Sequence, residues 1–343
     1  MTKGVLVAIS GGVDSAVAVM KAVEAGYHTE AFHLRLSKHD VGLSAAAAIA
    51  EGFGIRLHIV DCLNEFEQEV IDYFKTSYLI GETPNPCVVC NPRIKIRYGL
   101  KLMDRLGLDV LVTGHYARVV GRNDIGTVLL KGVDAAKDQS YFLHQIQRTA
   151  FDRLWFPNGL FTKEEIKALA GKAGFLDIVH KESQEACFLK GDYRDFLGVD
   201  ADGEGGEVVT RDGCILGRHK GLWAYTVGQR KGLSGLPGGS PWYVLALDHE
   251  NNRLIVGRSD ELLFTGCLVN GINWLVDDPA MVFDCRPQVK IRYRHQGVRA
   301  IVEPAEDGMV RVIFDMPQRA VTPGQFAVFY NDEQVLGGGK ICG

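Results

Sequence analysis

The 343-residue sequence contains no apolar run approaching the length of a bilayer-crossing helix, so a helical membrane protein and a membrane partner are not expected. Its first residues, MTKGVLVAIS, lack the layout of a signal peptide, because the apolar stretch leads straight into a glycine turn; a cytoplasmic location is expected. Net charge is only −4, so any nucleic-acid partner must be held by local basic patches. No GK[ST] follows the glycine turn and no G-x-G-x-x-G occurs, which removes the Walker A loop and the dinucleotide fingerprint. There is one C-x-x-C and no second, whereas a structural zinc site needs four ligands and usually a second such pair. No internal repeat or low-complexity tract is visible. What remains is a globular composition, 46% hydrophobic and 23% charged, long enough for two or three domains. Eight cysteines in a cytosolic-looking chain argue for thiol or metal chemistry, not a disulfide scaffold.

The most informative stretch is VLVAISGGVDS, Val5–Ser15. Val5 to Ile9 is continuously apolar, as suits a strand buried on both faces of a parallel sheet. Ser10-Gly11-Gly12 turns the chain, and Val13–Ala25 reads as a helix stopped by Gly26. A glycine turn opening a helix is an anion site: its N–H groups face the ligand and the helix dipole favours negative charge. Ser10 and Ser15 add hydroxyls, and Asp14 can hold a metal ion or steer phosphates.

Strands are expected at Thr29–Leu36, Arg56–Asp61 and Val110–Thr113, with helices at Ser44–Ala50, Leu63–Tyr78 and Thr162–Gly174, the last opened by a Thr162/Glu165 capping box. The βαβα alternation implies an α/β fold, a doubly wound parallel sheet, in which Ser10, Leu34, Gly114 and His115 converge at the carboxyl ends of the strands. Arg118–Val120 and Val128–Lys131 read as a hairpin. The segment TPNPCVVCNPR, Thr83–Arg93, carries three prolines and reads as a stiff loop presenting Cys87 and Cys90. A zinc site, a thioredoxin-like dithiol, and a catalytic pair or cluster site with a distant ligand all stay open for it. After it, Arg93, Arg97, Lys101 and Arg105 form one helical ridge, a solvated face or a track for phosphates. Cys187 lies in KESQEACFL, Lys181–Leu189.

Asp200–Gly206 is a polar, glycine-rich stretch and the expected boundary. Beyond it come short strands and turns: hairpins about Asp212-Gly213 and about Glu250-Asn251-Asn252, then strands at Val289–Tyr293, Val298–Val302, Val310–Phe314 and Ala327–Tyr330 that suggest a small barrel. The expected domains are 1–200, 207–264 and 267–343. Arg286, Lys290, Arg292, Arg294 and Arg299 lie in a stretch without an acid, a basic face suited to phosphate.

SGGVDS (Ser10–Ser15), TPNP (Thr83–Pro86), CN (Cys90–Asn91), TGHY (Thr113–Tyr116), KDQSYFL (Lys137–Leu143), CF (Cys187–Phe188), GQRKGL (Gly228–Leu233), PWYV (Pro241–Val244), RYR (Arg292–Arg294), TPGQ (Thr322–Gln325) and GGG (Gly337–Gly339) occur in this order. Together they make the chain resemble the tRNA-specific 2-thiouridylase family (MnmA/TrmU), whose glycine turn is the pyrophosphatase (PP) loop of the adenine-nucleotide alpha-hydrolase superfamily. The resemblance implies ATP-dependent exchange of oxygen for sulfur at C2 of the wobble uridine, with ATP and Mg2+ as cofactors. The tRNA anticodon stem-loop is the implied partner, and sulfur comes from a persulfide relay protein or free sulfide. It assigns Ala8, Ile9, Ser10, Gly11, Gly12, Val13, Asp14, Ser15, Leu34 and Gly114 to the ATP pocket. Cys90 becomes the nucleophile and Cys187 the persulfide carrier. Asn85, Pro86 and Cys87 match positions at the target base; His115, Lys137, Asp138, Gln139, Arg292, Tyr293 and Gln325 match tRNA contacts.

Two departures stand out. Cys87 stands where family members often have Asp, so Cys87, Cys90 and Cys187 could ligate a [4Fe–4S] cluster with an open iron for hydrosulfide; the other route is a persulfide whose attacking thiolate is favoured by Arg93 and Lys95. The segment Ser37–Leu43 is shorter than in typical members and lacks their tryptophan-and-acid stretch, so adenine recognition or loop closure is expected to differ.

Overall fold

The computed structural model describes residues 3–40, 42–122, 126–175, 186–189, 191–198 and 205–342. The expected boundary at 200–206 therefore lies mostly outside the described residues, as do 181–185 and the tip of the hairpin at 123–125. Strands β1 (Gly4–Ala8), β2 (His28–Arg35), β3 (Leu57–Asp61), β4 (Val110–Val112) and the short β7 (Leu154–Trp155) form a parallel sheet in the order β3-β2-β1-β4-β7, while β5 (Ala117–Arg122) and β6 (Gly126–Lys131) pair as the expected hairpin. Val5, Leu6 and Val7 are fully buried, because helices cover both faces of β1. Strand order reverses at β1, between β2 and β4, and the crevice of such a sheet opens there. The apolar periodicity did not indicate β7, which is only two residues long.

The thiol segment differs from the expected loop. A helix starts at Pro86 (Pro86–Cys90), passes through a π-turn (Asn91–Ile96) and continues as Arg97–Leu106. Pro86 occupies the first helical position, where its missing N–H costs nothing. Pro92 cannot fit a regular helix, since its ring would meet the carbonyl four residues back; the wider turn accommodates it. The wider turn also displaces Arg93 from the Arg97–Lys101–Arg105 ridge. Arg97 is ion-paired with Glu69 of the preceding helical run, so the ridge is less free of acids than its own sequence suggests.

A second sheet holds β8 (Glu207–Thr210), β9 (Ile215–Arg218), β10 (Tyr243–Asp248) and β11 (Arg253–Gly257) in the order β10-β11-β8-β9. The third unit is a closed six-stranded barrel: β12 (Leu263–Trp274), β13 (Gln288–Lys290), β14 (Val298–Pro304), β15 (Val310–Arg319), β16 (Phe326–Asn331) and β17 (Gln334–Ile341), with β12 pairing both β15 and β17. The sequence reading missed β12 and β17. The glycines of β17 hide its pattern, yet they are required: a Cβ on Gly338 would lie 2.6 Å from the Ala327 carbonyl and 2.8 Å from the His144 ring.

The barrel shares a core with the first unit. Tyr141, Leu143 and Ile146 pack with Leu275, Phe326, Val328 and Tyr330. The Tyr141 hydroxyl donates to the Phe326 carbonyl at 3.0 Å, and β6 extends the barrel sheet beside β17. No helix among the described residues is long and apolar enough to cross a membrane.

His144 sits in this junction, with Nδ1 2.6 Å from the Tyr141 carbonyl. Burial lowers its pKa to about 4, against the weaker pull of that hydrogen bond. The unfolded chain takes up a proton near pH 6.5 that the folded chain refuses. The stability this contributes is complete above pH 6.5 and is lost as pH falls toward 4, about 2 kcal/mol by pH 5. His144→Phe is expected to flatten the fall of the thermal midpoint between pH 7 and 5, as measured by calorimetry.

Candidate active site

At the carboxyl end of β1 the backbone turns through Gly11, at φ +83°, into the helix Val13–Glu24, capped by Gly12 in extended conformation without a side-chain cap. The first N–H groups of that helix have no intrahelical acceptor and point into the crevice mouth. Ser15 Oγ donates to the Gly12 carbonyl at 2.8 Å and accepts from the Ser10 N–H at 3.2 Å, which fixes the turn's curvature. A Cβ on Gly11 would lie 2.6 Å from the Gly42 carbonyl. Gly114 is equally confined: its Cβ would lie 2.7 Å from the Asp14 carbonyl. Ser10, Leu34, Gly114 and His115 thus stand together at the strand ends.

Segment 37–43 packs on the back of this turn. His33 Nδ1 lies 2.8 Å from the Ile9 carbonyl and its Nε2 2.7 Å from the Asp40 carboxylate, which accepts from the Gly42 N–H at 3.1 Å. Val41 lies outside the described residues.

The Asp14 carboxylate receives Lys163 Nζ at 2.8 and 2.9 Å and the Tyr116 hydroxyl at 2.6 Å, while Asn158 Nδ2 donates to the Asp14 carbonyl at 2.8 Å. Sequence reasoning missed Lys163 and Asn158. The one available signal was the capping box, which placed Lys163 on the first turn of its helix, where the observed capping box holds Thr162 and Glu165.

On the other side of Leu34 lie the thiols. Cys90 is buried with Cys62, Phe66, Val70, Ile71 and Ile94, and Leu34 and Phe188 pack on this cluster. Phe188 meets Phe66 and Phe74 edge-on, at ring-centroid separations of 5.8 and 5.3 Å. That aromatic anchor brings the neighbouring Cys187, distant in sequence, within electrostatic reach of Cys90. The π-turn contributes the rest. Lys95, within the π-turn Asn91–Ile96, lies within electrostatic reach of Cys90, Cys87 and Cys187. Burial opposes the charge of Lys95, but Cys90, Cys87 and Cys187 together offset this and hold its pKa above the ordinary lysine value. Burial pushes the Cys90 thiol up to about 12, with Lys95 drawing it back. The protein shell raises Cys187 too, against the same cation, although its residue surface is exposed. His115, between thiols and turn, is driven down to about 3, first by burial and then by Lys95, and is neutral near pH 7.

The expected ligation of a metal by Cys87, Cys90 and Cys187 does not match this arrangement. Among the described residues no group of three His, Cys, Asp or Glu side chains is placed to hold a metal ion. A cation, Lys95, faces these sulfurs instead.

Asn85 caps the thiol helix and Pro86 opens it. Asp138 is buried, its carboxylate accepting from the Gly132 and Ser140 N–H groups and the Ser140 hydroxyl, so it shapes a turn and presents no surface. Gln139 Oε1 accepts from the Tyr116 N–H at 3.0 Å. Gln325 donates to the Thr83 carbonyl at 2.9 Å. Tyr293 lies against Phe142, and Arg292 donates to the Arg319 carbonyl. On the barrel's basic face Arg286 is ion-paired with Asp315 at 2.6 Å, whereas Arg294 is exposed.

Three family models match in succession: the tRNA methyl transferase HUP domain over residues 3–191, the tRNA methyl transferase PRC-barrel domain over 194–258, and the aminomethyltransferase beta-barrel domain over 264–341. The tRNA-specific 2-thiouridylase MnmA of Carboxydothermus hydrogenoformans is 40% identical, covering 99% of this chain and 97% of its own length. That of Chloroflexus aurantiacus is 43% identical, covering 98% of each. A solved complex of a 4-thiouridine synthetase with RNA and bound ATP is 22% identical over 54% of this chain and 44% of its own, with a TM-score of 0.37. Matched end to end by relatives of that one description, the chain belongs to the tRNA-specific 2-thiouridylase (MnmA) family.

Proposed function

We propose that the chain uses ATP to replace oxygen by sulfur at C2 of the wobble uridine of tRNA. The observation that carries this reading is that Cys87, Cys90 and Cys187 all lie within electrostatic reach of Lys95, in a chain whose β1 ends in a glycine turn opening a helix. The turn Ser10–Ser15, with Ala8, Ile9, Leu34 and Gly114, would cradle ATP. Its helix N-terminus and hydroxyls suit a polyphosphate, and Asp14 would take part in Mg2+ or phosphate positioning together with Lys163. Asn85, Pro86 and Cys87 would border the target base. Lys137, Arg292 and Tyr293, with the exposed arginines of the barrel, would meet the anticodon stem-loop. His115, Gln139 and Gln325 would shape that contact, and Asp138 would support it from inside.

Attack of the uracil O2 on the α-phosphorus releases pyrophosphate and leaves AMP on O2. The terminal sulfur of a Cys187 persulfide then bonds to C2, and the C2–O bond breaks with AMP as the leaving group. The Cys90 thiolate attacks the Cys187 sulfur, which releases the thiocarbonyl product and forms a Cys90–Cys187 disulfide. A dithiol reductant then resets the pair and a persulfide relay protein transfers its outer sulfur to the Cys187 thiolate; where free sulfide is the source, hydrosulfide instead attacks the Cys187 sulfur of the unreduced disulfide, expelling the Cys90 thiolate and leaving the Cys187 persulfide. The cation Lys95 beside these sulfurs favours this route over a [4Fe–4S] cluster.

Mass analysis of tRNA nucleosides after incubation with ATP and a sulfur source tests the reading. Wild type is expected to yield 2-thiouridine and AMP; Cys90→Ser and Cys187→Ser lose the thiolated nucleoside, and Cys87→Asp retains it. Absence of product from folded wild type with tRNA, ATP and a persulfide donor would refute the proposal. Anaerobically purified protein is expected to thiolate tRNA without bound iron, whereas iron-dependent activity with visible absorbance would restore the cluster. Lys95→Met removes the charge that lowers both the Cys90 and the Cys187 thiol. Its rate at pH 7 should drop and the alkaline rise of its pH–rate profile should move to higher pH. Arg292→Gln is expected to lower the salt dependence of tRNA binding by about one unit of log–log slope.

A further inference from the structure

The residues leading into the thiol helix are gripped by the other two units. Lys340, in β17, places Nζ 2.9 and 3.0 Å from the two carboxylate oxygens of Glu82, a half-buried bidentate pair. The next residue is held on three sides. The Thr83 N–H donates to the Pro323 carbonyl at 2.8 Å, its carbonyl accepts from Gln325 at 2.9 Å, and its hydroxyl lies 3.2 Å from that of Thr226. The approach is close: a Cβ on Gly324 would stand 2.7 Å from the Glu82 Cβ and the Thr83 nitrogen. Gly81 faces His249 of the central unit, whose ring would lie 2.0 Å from a Cβ there. Only Pro84 and Asn85 separate this grip from Pro86, and two fixed proline φ angles leave little slack before Cys87.

We propose that Lys340, through its pair with Glu82, is a positioning residue by which the C-terminal barrel sets the thiol helix in its working register. The ammonium holds both oxygens of one partly buried carboxylate, which fixes their separation, and the backbone bonds of Thr83 to Pro323 and Gln325 fix the direction. The stiff dipeptide that follows passes that fix to Cys87 and, one helical turn on, to Cys90. Sulfur transfer needs the attacking thiol placed to within a fraction of an ångström, so loosening the grip weakens transfer before it weakens ATP binding. The consequence for turnover rests on the thiolation reading, whereas the consequence for thiol exposure does not.

The experiment compares full-length wild type with Lys340→Met, Glu82→Gln and the doubly swapped Glu82→Lys/Lys340→Glu protein. Iodoacetamide labelling of each cysteine is followed by mass mapping, without tRNA. Cys87 is expected to label roughly fivefold faster in the single variants, the factor that loss of a partly buried ion pair allows. Cys267, buried in the barrel core away from the thiol helix, should keep its wild-type rate, and the swap should return Cys87 toward wild type. In thiolation assays kcat should fall in the single variants with the KM for ATP unchanged. Unchanged Cys87 labelling in both single variants would overturn the proposal. So would equal acceleration at Cys267, since the pair would then be a general stabiliser. If wild type yields no thiolated nucleoside, the thiolation reading fails and the labelling alone decides on the grip.

Discussion

One buried lysine beside a group of thiols sets the electrostatics of the candidate site. Pro92 lies in a wider turn between Cys90 and the long basic helix that follows, and Lys95 of that turn lies within electrostatic reach of Cys90, Cys87 and Cys187. Burial opposes ionisation of the thiols and charge on the lysine alike, so each is the other's compensation in a poorly solvated corner. His115 is drawn into the same balance and stays neutral. The electrostatics of the candidate site therefore follow from burial and the one cation at Lys95.

The nucleotide side is organised differently. Its curvature comes from glycines with no room for a side chain, at Gly11 and Gly114, and from Ser15 closing back on the turn. The short segment 37–43 has become part of this support. His33 and Asp40 tie it to the end of β1, and Gly42 presses on the turn from behind. Asp40 and Gly42 thus buttress the glycine turn from behind.

What could be read from the sequence follows from the range of the forces involved. The strand–turn–helix of Val5–Ser15, the Thr162/Glu165 cap and the two central hairpins were legible because each is decided by neighbours a few residues apart. The thiol helix was misread as a loop because prolines usually exclude helix, and neither the permissive first position of Pro86 nor the wide turn at Pro92 shows in a periodicity. The glycine-rich β17 has no alternation to read; its partner strands decide it. Lys163 and Asn158 reach Asp14 across some 150 residues of chain, and the grip on Glu82 spans more still. Local pattern carries no trace of such contacts, whereas motif order did bring Cys90 and Cys187 into one hypothesis.

The shared core of Tyr141, Leu143 and Ile146 with Phe326 and Val328 has a consequence for dissecting the molecule. Three family models divide the chain as if it were modular, yet the cut between first and last would leave a wall of aromatic and aliphatic side chains facing water. Boundaries drawn by ancestry and boundaries drawn by cohesion do not coincide here: the barrel is inherited as a separate piece but folds as the floor of the catalytic unit.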